Sequence, residues 1–139
     1  METIGFKLDK ISQLNEFKSL NVRWLDIDNE FNLISDYYSE FGCANIKKED
    51  FDETQWKCCA VIINNKILSY AGALYMSQSN WEIGAVSTLP QERNKSYAKV
   101  TTSFIAHYIL ENGKQATLNT EIHNEAMKKV AQQIGMVLH

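Results

Sequence analysis

The chain has only one proline, six glycines and three cysteines among its 139 residues. Three cysteines without a CxxC pair form neither a disulfide framework nor a zinc site, so we expect reduced thiols and a cytoplasmic protein. The sequence contains no apolar run of membrane-spanning length, and its first ten residues are too charged for a signal peptide. Its net charge of −3 lacks the basic excess of nucleic-acid-binding proteins, so neither nucleic acid nor membrane is a predicted partner.

The composition is that of an ordinary globular protein, with 45% hydrophobic and 22% charged residues. The length predicts one domain over residues 1–139, large enough for a core. The three histidines, His107, His123 and His139, have no metal-ligand spacing, so we predict no metal site. Cys58 and Cys59 are neighbours on a predicted strand, which points them to opposite faces as small buried hydrophobes.

The first part of the chain predicts one strand and two helices. Residues 3–8 alternate like a strand. A helix capped by Asp9 or Ser12 is expected to run to about Leu20, and a second helix is expected between Asp28 and Gly42. The inward stripes are Ile11, Leu14, Phe17 and Leu20 in the first helix, and Phe31, Ile34, Tyr38 and Phe41 in the second.

The pattern changes after Gln55 to a meander of three antiparallel strands, with a tight Asn64-Asn65 turn between the first two. A helix, a strand and a last helix follow, and the strands that flank the first of these helices should lie parallel and adjacent. The fold class is therefore mixed α/β (α+β), with a mostly antiparallel sheet flanked by helices. The predicted ranges are strands 57–63, 67–76, 81–89 and 115–122, a helix over 96–112 closed by Gly113, and a helix from the Asn124 cap to Gly135.

A strand meets a helix at Pro90, which ends the strand because proline cannot donate to a ladder. Residues 91–96, "QERNKS", then lead into the helix. Unpaired N–H groups and the partial positive charge at a helix start attract phosphate, and Arg93 and Lys95 add two charges there. Taken locally, a solvated loop with an ordinary cap is the favoured interpretation, because basic residues near helix starts are common.

The junction "TLPQERNKSYAKV" and the last helix "NEAMKKVAQQIGM" together resemble the GNAT superfamily of acyl-CoA-dependent N-acetyltransferases. In that family the junction usually reads Gln/Arg-x-x-Gly-x-Gly/Ala, so Gln91 matches while Asn94 and Ser96 replace the glycines. Asn124 and Gly135-Met136 fit the outline of the family's last helix. The resemblance covers about residues 56–137.

The resemblance implies that acetyl-CoA is the acyl donor and that backbone amides of residues 93–98 hold its diphosphate. It also implies that the strand edge 85–88 pairs with the pantetheine arm. Asn94 is the mildest replacement for a left-handed glycine, and the Ser96 hydroxyl suits phosphate or the helix cap. The implied cofactor-binding residues are Val86, Thr88, Gln91, Arg93, Asn94, Lys95, Ser96, Tyr97, Ala98 and Asn124.

The implied reaction is direct transfer of an acetyl group to an unidentified primary amine on a small molecule or peptide. The N–H of Val86 is the candidate oxyanion donor, and Glu82 is the candidate base because strand alternation puts both residues on one face. An exposed strand glutamate is the equal alternative for Glu82. Ala131 occupies the place of the tyrosine that is the usual general acid in the family. The departing thiolate therefore takes its proton from another group or from water, or catalysis is weak; Tyr97 is the candidate substitute acid, with a packing aromatic as its alternative.

Two other functions remain open from these residues: an acyl-CoA-binding module without turnover, and a protein-interaction domain on the same fold. Family members usually continue past the last helix with a two-stranded hairpin, whereas His139 leaves room for one short strand. We therefore expect a shortened C-terminal end and an exposed sheet edge that favours a homodimer.

Overall fold

The computed structural model describes residues 2–139, in which seven strands form one mixed sheet flanked by three α-helices. The strand order is β2-β3-β4-β5-β6-β1-β7. The elements are β1 (Thr3–Leu8), β2 (Val22–Trp24), α1 (Ile27–Ser39), β3 (Trp56–Ile63), β4 (Lys66–Leu74), β5 (Asn80–Thr88), α2 (Tyr97–Glu111), β6 (Gln115–Glu121), α3 (Glu125–Gln133) and β7 (Val137–Leu138).

The second half of the chain folds as the sequence predicts. Strands β3, β4 and β5 form the antiparallel meander, and β6 lies beside β5 in a parallel pair. Asn64 and Asn65 both have positive φ, 53° and 59°, as a hairpin turn with two left-handed residues requires. Gly113 closes α2 with φ 75°, and the Asn124 side chain caps α3 by accepting from the Met127 N–H.

The sheet separates two layers of helix. Helices α2 and α3 pack together on one face, which we call the helix-pair face, while α1 packs against β4 on the other, the α1 face. Cys59 is buried on the helix-pair face among Ala71, Ile105 and Ile109, and Cys58 is buried on the α1 face. The predicted alternation of the two cysteines is confirmed. No helix within residues 2–139 is long and apolar enough to cross a membrane.

The predicted helix between residues 9 and 20 is wrong. Only a single 3-10 turn forms at Ile11–Gln13, and the segment then runs extended across the helix layer. Its backbone bonds to other elements instead of to itself: the Asn15 N–H donates to the Ile134 carbonyl at 2.8 Å and the Phe17 N–H to Ser103 Oγ at 3.0 Å. Leu20 of the assumed stripe is fully exposed, so tertiary hydrogen bonds override the helical periodicity.

Helix α1 begins one residue before its predicted cap. Asp26 caps it by accepting from the Asn29 N–H, and Gly42 has φ 81° just beyond its end, as predicted. Ile34 is buried, but Phe41 lies past the last helical residue and is 38% exposed. The expected inward stripe is therefore correct in the middle of the helix and wrong at its end.

Strand β1 fills the position next to β6 that the sequence left open. All six of its residues pair antiparallel with β6, and β7 pairs with the outer side of β1. The N-terminal strand therefore extends the sheet beyond β6, and the short strand after α3, β7, joins it there. The outer edge is the two-residue β7, whose Val137 and Leu138 are exposed.

Candidate functional site

A gap opens between the parallel strands β5 and β6. Their last paired residues are Glu82 and Thr117, although β5 continues to Thr88 and β6 to Glu121. Beyond Glu82, the side of β5 that faces β6 therefore has no ladder partner. Unpaired strand edges bind extended chains through backbone hydrogen bonds, so this gap suits a linear amide-bearing guest.

A β-bulge lies in the free part of β5. Tyr70 pairs with Ser87 and Gly72 with Gly84, so β5 has one residue more than β4 over this interval. Ala85 has φ 53°, a left-handed conformation that is uncommon for a residue with a Cβ. A bulge redirects the strand and leaves a residue out of the ladder, which places the Val86 backbone at the mouth of the gap.

The turn between β5 and α2 keeps its backbone donors free. Asn94 and Ser96 both adopt left-handed φ, 66° and 67°, so both stand in conformations that glycine usually occupies. Ser96 is the N-cap residue of α2, yet its side chain makes no cap hydrogen bond. In the described chain, none of the hydrogen bonds uses the N–H groups of residues 93–98. Successive free amides in such a turn form an anion-binding concavity.

This turn forms one wall of a groove of about 610 Å³ whose other wall is α3. Arg93, Lys99 and Lys129 bring positive charge to the groove, and Glu92 brings a negative charge. Most of the predicted cofactor-binding residues meet here: Val86, Thr88, Arg93, Asn94, Ser96, Tyr97, Ala98 and Asn124. The volume lies in the range of small-molecule and cofactor sites.

Gln91 and Lys95, also predicted to bind the cofactor, lie outside the groove lining. The Gln91 Nε2 donates to Glu40 Oε1 at 3.4 Å, which ties the turn to the end of α1. The Lys95 ammonium lies 3.0 Å from the Glu92 carboxylate, and this hydrogen bond raises the pKa of Lys95. Lys95 therefore pairs with Glu92 beside the groove, and its role in binding the cofactor stays a prediction.

Sequence reasoning missed Lys99 and Lys129. Both line the groove, Lys99 from the first turn of α2 and Lys129 from α3. Lys129 follows Ala126 by three residues, so the two share one side of α3. This three-residue spacing after Ala126, which itself follows the Asn124 cap, is the sequence signal that would have found Lys129.

Glu82 and Val86 do not share a face, which corrects the sequence interpretation. Val86 packs with Ile83 on the helix-pair face, whereas the Glu82 carboxylate accepts from Asn119 Nδ2 at 2.6 Å on the α1 face. The bulge at Ala85 adds a residue between them and shifts the alternation by one. Glu82 nevertheless lies at the point where the gap begins, since it forms the last β5–β6 pair.

The other predicted catalytic positions are also placed. Tyr97 is the first residue of α2, lines the groove and packs partly against the core of the α1 face. Ala131 is fully buried among core residues of the helix-pair face, so this position contributes no polar group to the gap. Within residues 2–139, no three His, Cys, Asp or Glu side chains cluster in a way that would hold a metal ion.

The gap, the bulge, the amide-rich turn and the helix that faces it define a GNAT-type fold, and comparison with known proteins gives the family. Residues 61–139 match the model of the family described as FR47-like protein. The chain belongs to this GNAT-related family. No curated protein matches it in sequence.

Solved structures share the fold at low sequence identity. An acetyltransferase of the GNAT family from Colwellia psychrerythraea has a TM-score of 0.73 and 14% identity, over 98% of this chain and 52% of that one. Glucosamine-6-phosphate N-acetyltransferase from Arabidopsis thaliana has a TM-score of 0.61 and 15% identity, over 81% of this chain and 89% of that one. An aminoglycoside acetyltransferase from an uncultured soil metagenome, in complex with sisomicin, has a TM-score of 0.63 and 12% identity, over 81% of this chain and 85% of that one. The chain spans only 61%, 53% and 59% of three further structures that it matches along nearly its whole length.

Proposed function

We propose that the protein is an N-acetyltransferase that moves the acetyl group of acetyl-CoA directly to a primary amine. The observation that carries the proposal is the row of unused N–H groups at residues 93–98, in a groove that continues into the open β5–β6 gap. The diphosphate of acetyl-CoA needs free N–H groups, and its amide-bearing pantetheine arm needs an open strand edge next to them.

The residues of the groove fit the donor. The amides of the turn would take the diphosphate, with Arg93 as its bidentate partner and Lys99 and Lys129 as further cations. The free edge of β5 would pair with the pantetheine amides. Asn124 uses its side-chain oxygen to cap α3, which leaves the amide nitrogen for a guest in the groove.

Acetyl-CoA supplies a thioester, and the residues of the gap supply the rest. The Val86 N–H is the proposed donor to the oxygen that becomes negative at the carbonyl. Glu82 is the proposed base that takes a proton from the attacking amine as the C–N bond forms and the C–S bond breaks. Tyr97 is the proposed acid that protonates the departing sulfur, since Ala131 offers no hydroxyl.

The acceptor is a primary amine on a small molecule or peptide. Two structurally similar enzymes are named for amino-sugar acceptors, an aminoglycoside and glucosamine 6-phosphate. The protein's own chemistry adds a carboxylate, Glu82, on the open part of the α1 face, where a cationic amine is attracted before it loses its proton. We place the reaction in the cytoplasm, where acetyl-CoA and reduced thiols occur together.

Titration calorimetry with acetyl-CoA and then with CoA tests donor binding. A thiol-release assay with tobramycin, glucosamine 6-phosphate, spermidine and a peptide N-terminus tests turnover. We expect heat from both nucleotides and thiol release that depends on one of the amines. Binding without release would identify a CoA-binding module, an outcome that the buried Ala131 favours, and the absence of heat would overturn both.

A further inference from the structure

Asn119 and Gly5 form a support for Glu82 that neither the sequence pattern nor the family resemblance indicates. We infer that Asn119 of β6 is a positioning residue, which orients the Glu82 carboxylate for the acceptor amine, and that Gly5 of β1 makes room for it. This inference rests on the proposed function of Glu82 as the base, and it names residues outside the groove.

The contact between Asn119 and Glu82 is short and directional. Asn119 Nδ2 lies 2.6 Å from Glu82 Oε1. A carboxylate has only acceptors, so the amide can face it only through its N–H groups. A hydrogen bond to an ionised group is stronger than one between neutral groups, and it fixes one of the two carboxylate oxygens. The second oxygen, Oε2, is left for the amine.

Gly5 explains how Asn119 reaches this position. The two residues are paired across β1 and β6, and a Cβ on Gly5 would lie only 2.9 Å from Asn119 Oδ1. Any larger residue would therefore push the amide away from its present place. The role of Gly5 here is steric and not conformational: the side-chain amide of Asn119 occupies the space that a Cβ would fill.

The position of Glu82 in the sheet explains why its side chain needs a contact such as that with Asn119. Glu82 forms the last pair before β5 and β6 separate, so its side chain is not held by a neighbouring pair further along the gap. Helix α1 packs against β4, at a distance of two strands from β6 in the sheet order. Asn119 is exposed and contributes little to the core, which leaves orientation of Glu82 as its main physical effect.

The test compares Asn119→Asp, which keeps the size, removes the donor and places a second negative charge beside Glu82, with Asn21→Asp, which makes the same change near β2 at the opposite edge of the sheet. With the amine of highest turnover in the panel above, we expect kcat of Asn119→Asp to fall roughly tenfold, with an unchanged KM for acetyl-CoA. Asn21→Asp should keep the original kcat. In the Glu82→Gln background, Asn119→Asp should have no further effect, because it acts through Glu82.

Gly5→Ala separates positioning from folding. Alanine in place of a strand glycine normally stabilises or leaves stability unchanged, so we expect an equal or higher Tm together with a lower kcat. An unchanged kcat in Gly5→Ala and Asn119→Asp, with Glu82→Gln still impaired, would overturn the inference and leave the proposed function intact.

A readout without turnover keeps the two proposals apart. In the 15N-labelled protein, Glu82→Gln should shift the side-chain amide resonances of Asn119 and leave those of Asn21 in place. If Glu82→Gln keeps full activity, the base assignment fails even when the resonances move. If the Asn119 resonances do not move, the contact itself is refuted.

Discussion

The groove at the start of α2 and the sheet surface around Glu82 lie on either side of one gap but are built differently. The groove wall consists of backbone amides in a turn, with three cations around it. The surface around Glu82 consists of single polar side chains that hold one another, as in the 2.6 Å contact with Asn119. We therefore expect side-chain changes in the turn to be tolerated as long as the backbone keeps its shape, whereas the other side depends on individual residues.

The largest effect is expected on the Glu82 side. Glu82→Gln removes the proposed base with almost no change in volume, and general-base catalysis typically contributes about 100-fold or more. We therefore expect kcat to fall by about 100-fold while calorimetry gives the same acetyl-CoA affinity. A variant with the original kcat would show that the amine loses its proton to water. The surface around Glu82 would then depend on its individual side chains no more than the groove does.

The next effect is expected in the groove, where charge matters more than identity. Arg93→Glu should weaken acetyl-CoA binding about 10- to 100-fold, the range of a lost charged hydrogen bond. Lys95→Glu makes the same charge change just outside the lining, and it also leaves Glu92 without its partner. It should weaken binding less than Arg93→Glu, because Lys95 does not line the groove. Equal losses in calorimetry for the two variants would argue that only the general field of the turn attracts the donor.

The same contrast explains how much the sequence could predict. The meander, α2, β6, α3 and their caps follow from local signals such as the Asn64-Asn65 turn and the Asn124 cap. The groove could be predicted because the turn between β5 and α2 forms one of its walls. Such features depend on residues near each other in the chain, and pattern reasoning is strongest there.

The larger misses in the fold depend on distant contacts. The extended course of residues 14–20 is set by Ile134 and Ser103, and the pairing of β1 with β6 joins the two ends of the chain. The bulge at Ala85 follows Gly84, a glycine inside the strand that signals a bulge and that the alternation argument did not use, and it reverses the relation between Glu82 and Val86. Alternation of side chains along a strand holds only while the ladder is regular.

Alkaline pH probes the core of the α1 face, which contains Cys58 and Tyr37. Burial raises the pKa of Cys58 from 9.0 to about 12 and that of Tyr37 from 10.0 to about 12. The unfolded chain loses these protons first, so the free energy of unfolding should fall as pH rises from about 9 to about 12. Urea unfolding across this range measures the loss.

Tyr37→Phe is the control for that titration. It removes one of the two groups together with its 2.7 Å contact to Ser87 Oγ, so stability at neutral pH should fall slightly. Above pH 10 its stability should then decline less steeply than that of the original protein. Parallel curves would mean that Tyr37 does not contribute to the alkaline loss.

The smallest effect tests whether the groove depends on backbone shape alone. Ser96 adopts φ 67° and makes no cap hydrogen bond, so Ser96→Gly relieves a left-handed residue without removing a contact. The relief is about 1 kcal/mol, partly offset by the greater freedom of glycine in the unfolded chain, so we expect a slightly raised free energy of unfolding. Gln132→Gly, in the last turn of α3, should instead destabilise, by up to about 1 kcal/mol. Acetyl-CoA affinity should stay unchanged in Ser96→Gly, because the amides of the turn keep their places; a large loss of affinity would mean that the serine hydroxyl, and not the backbone, holds the phosphate.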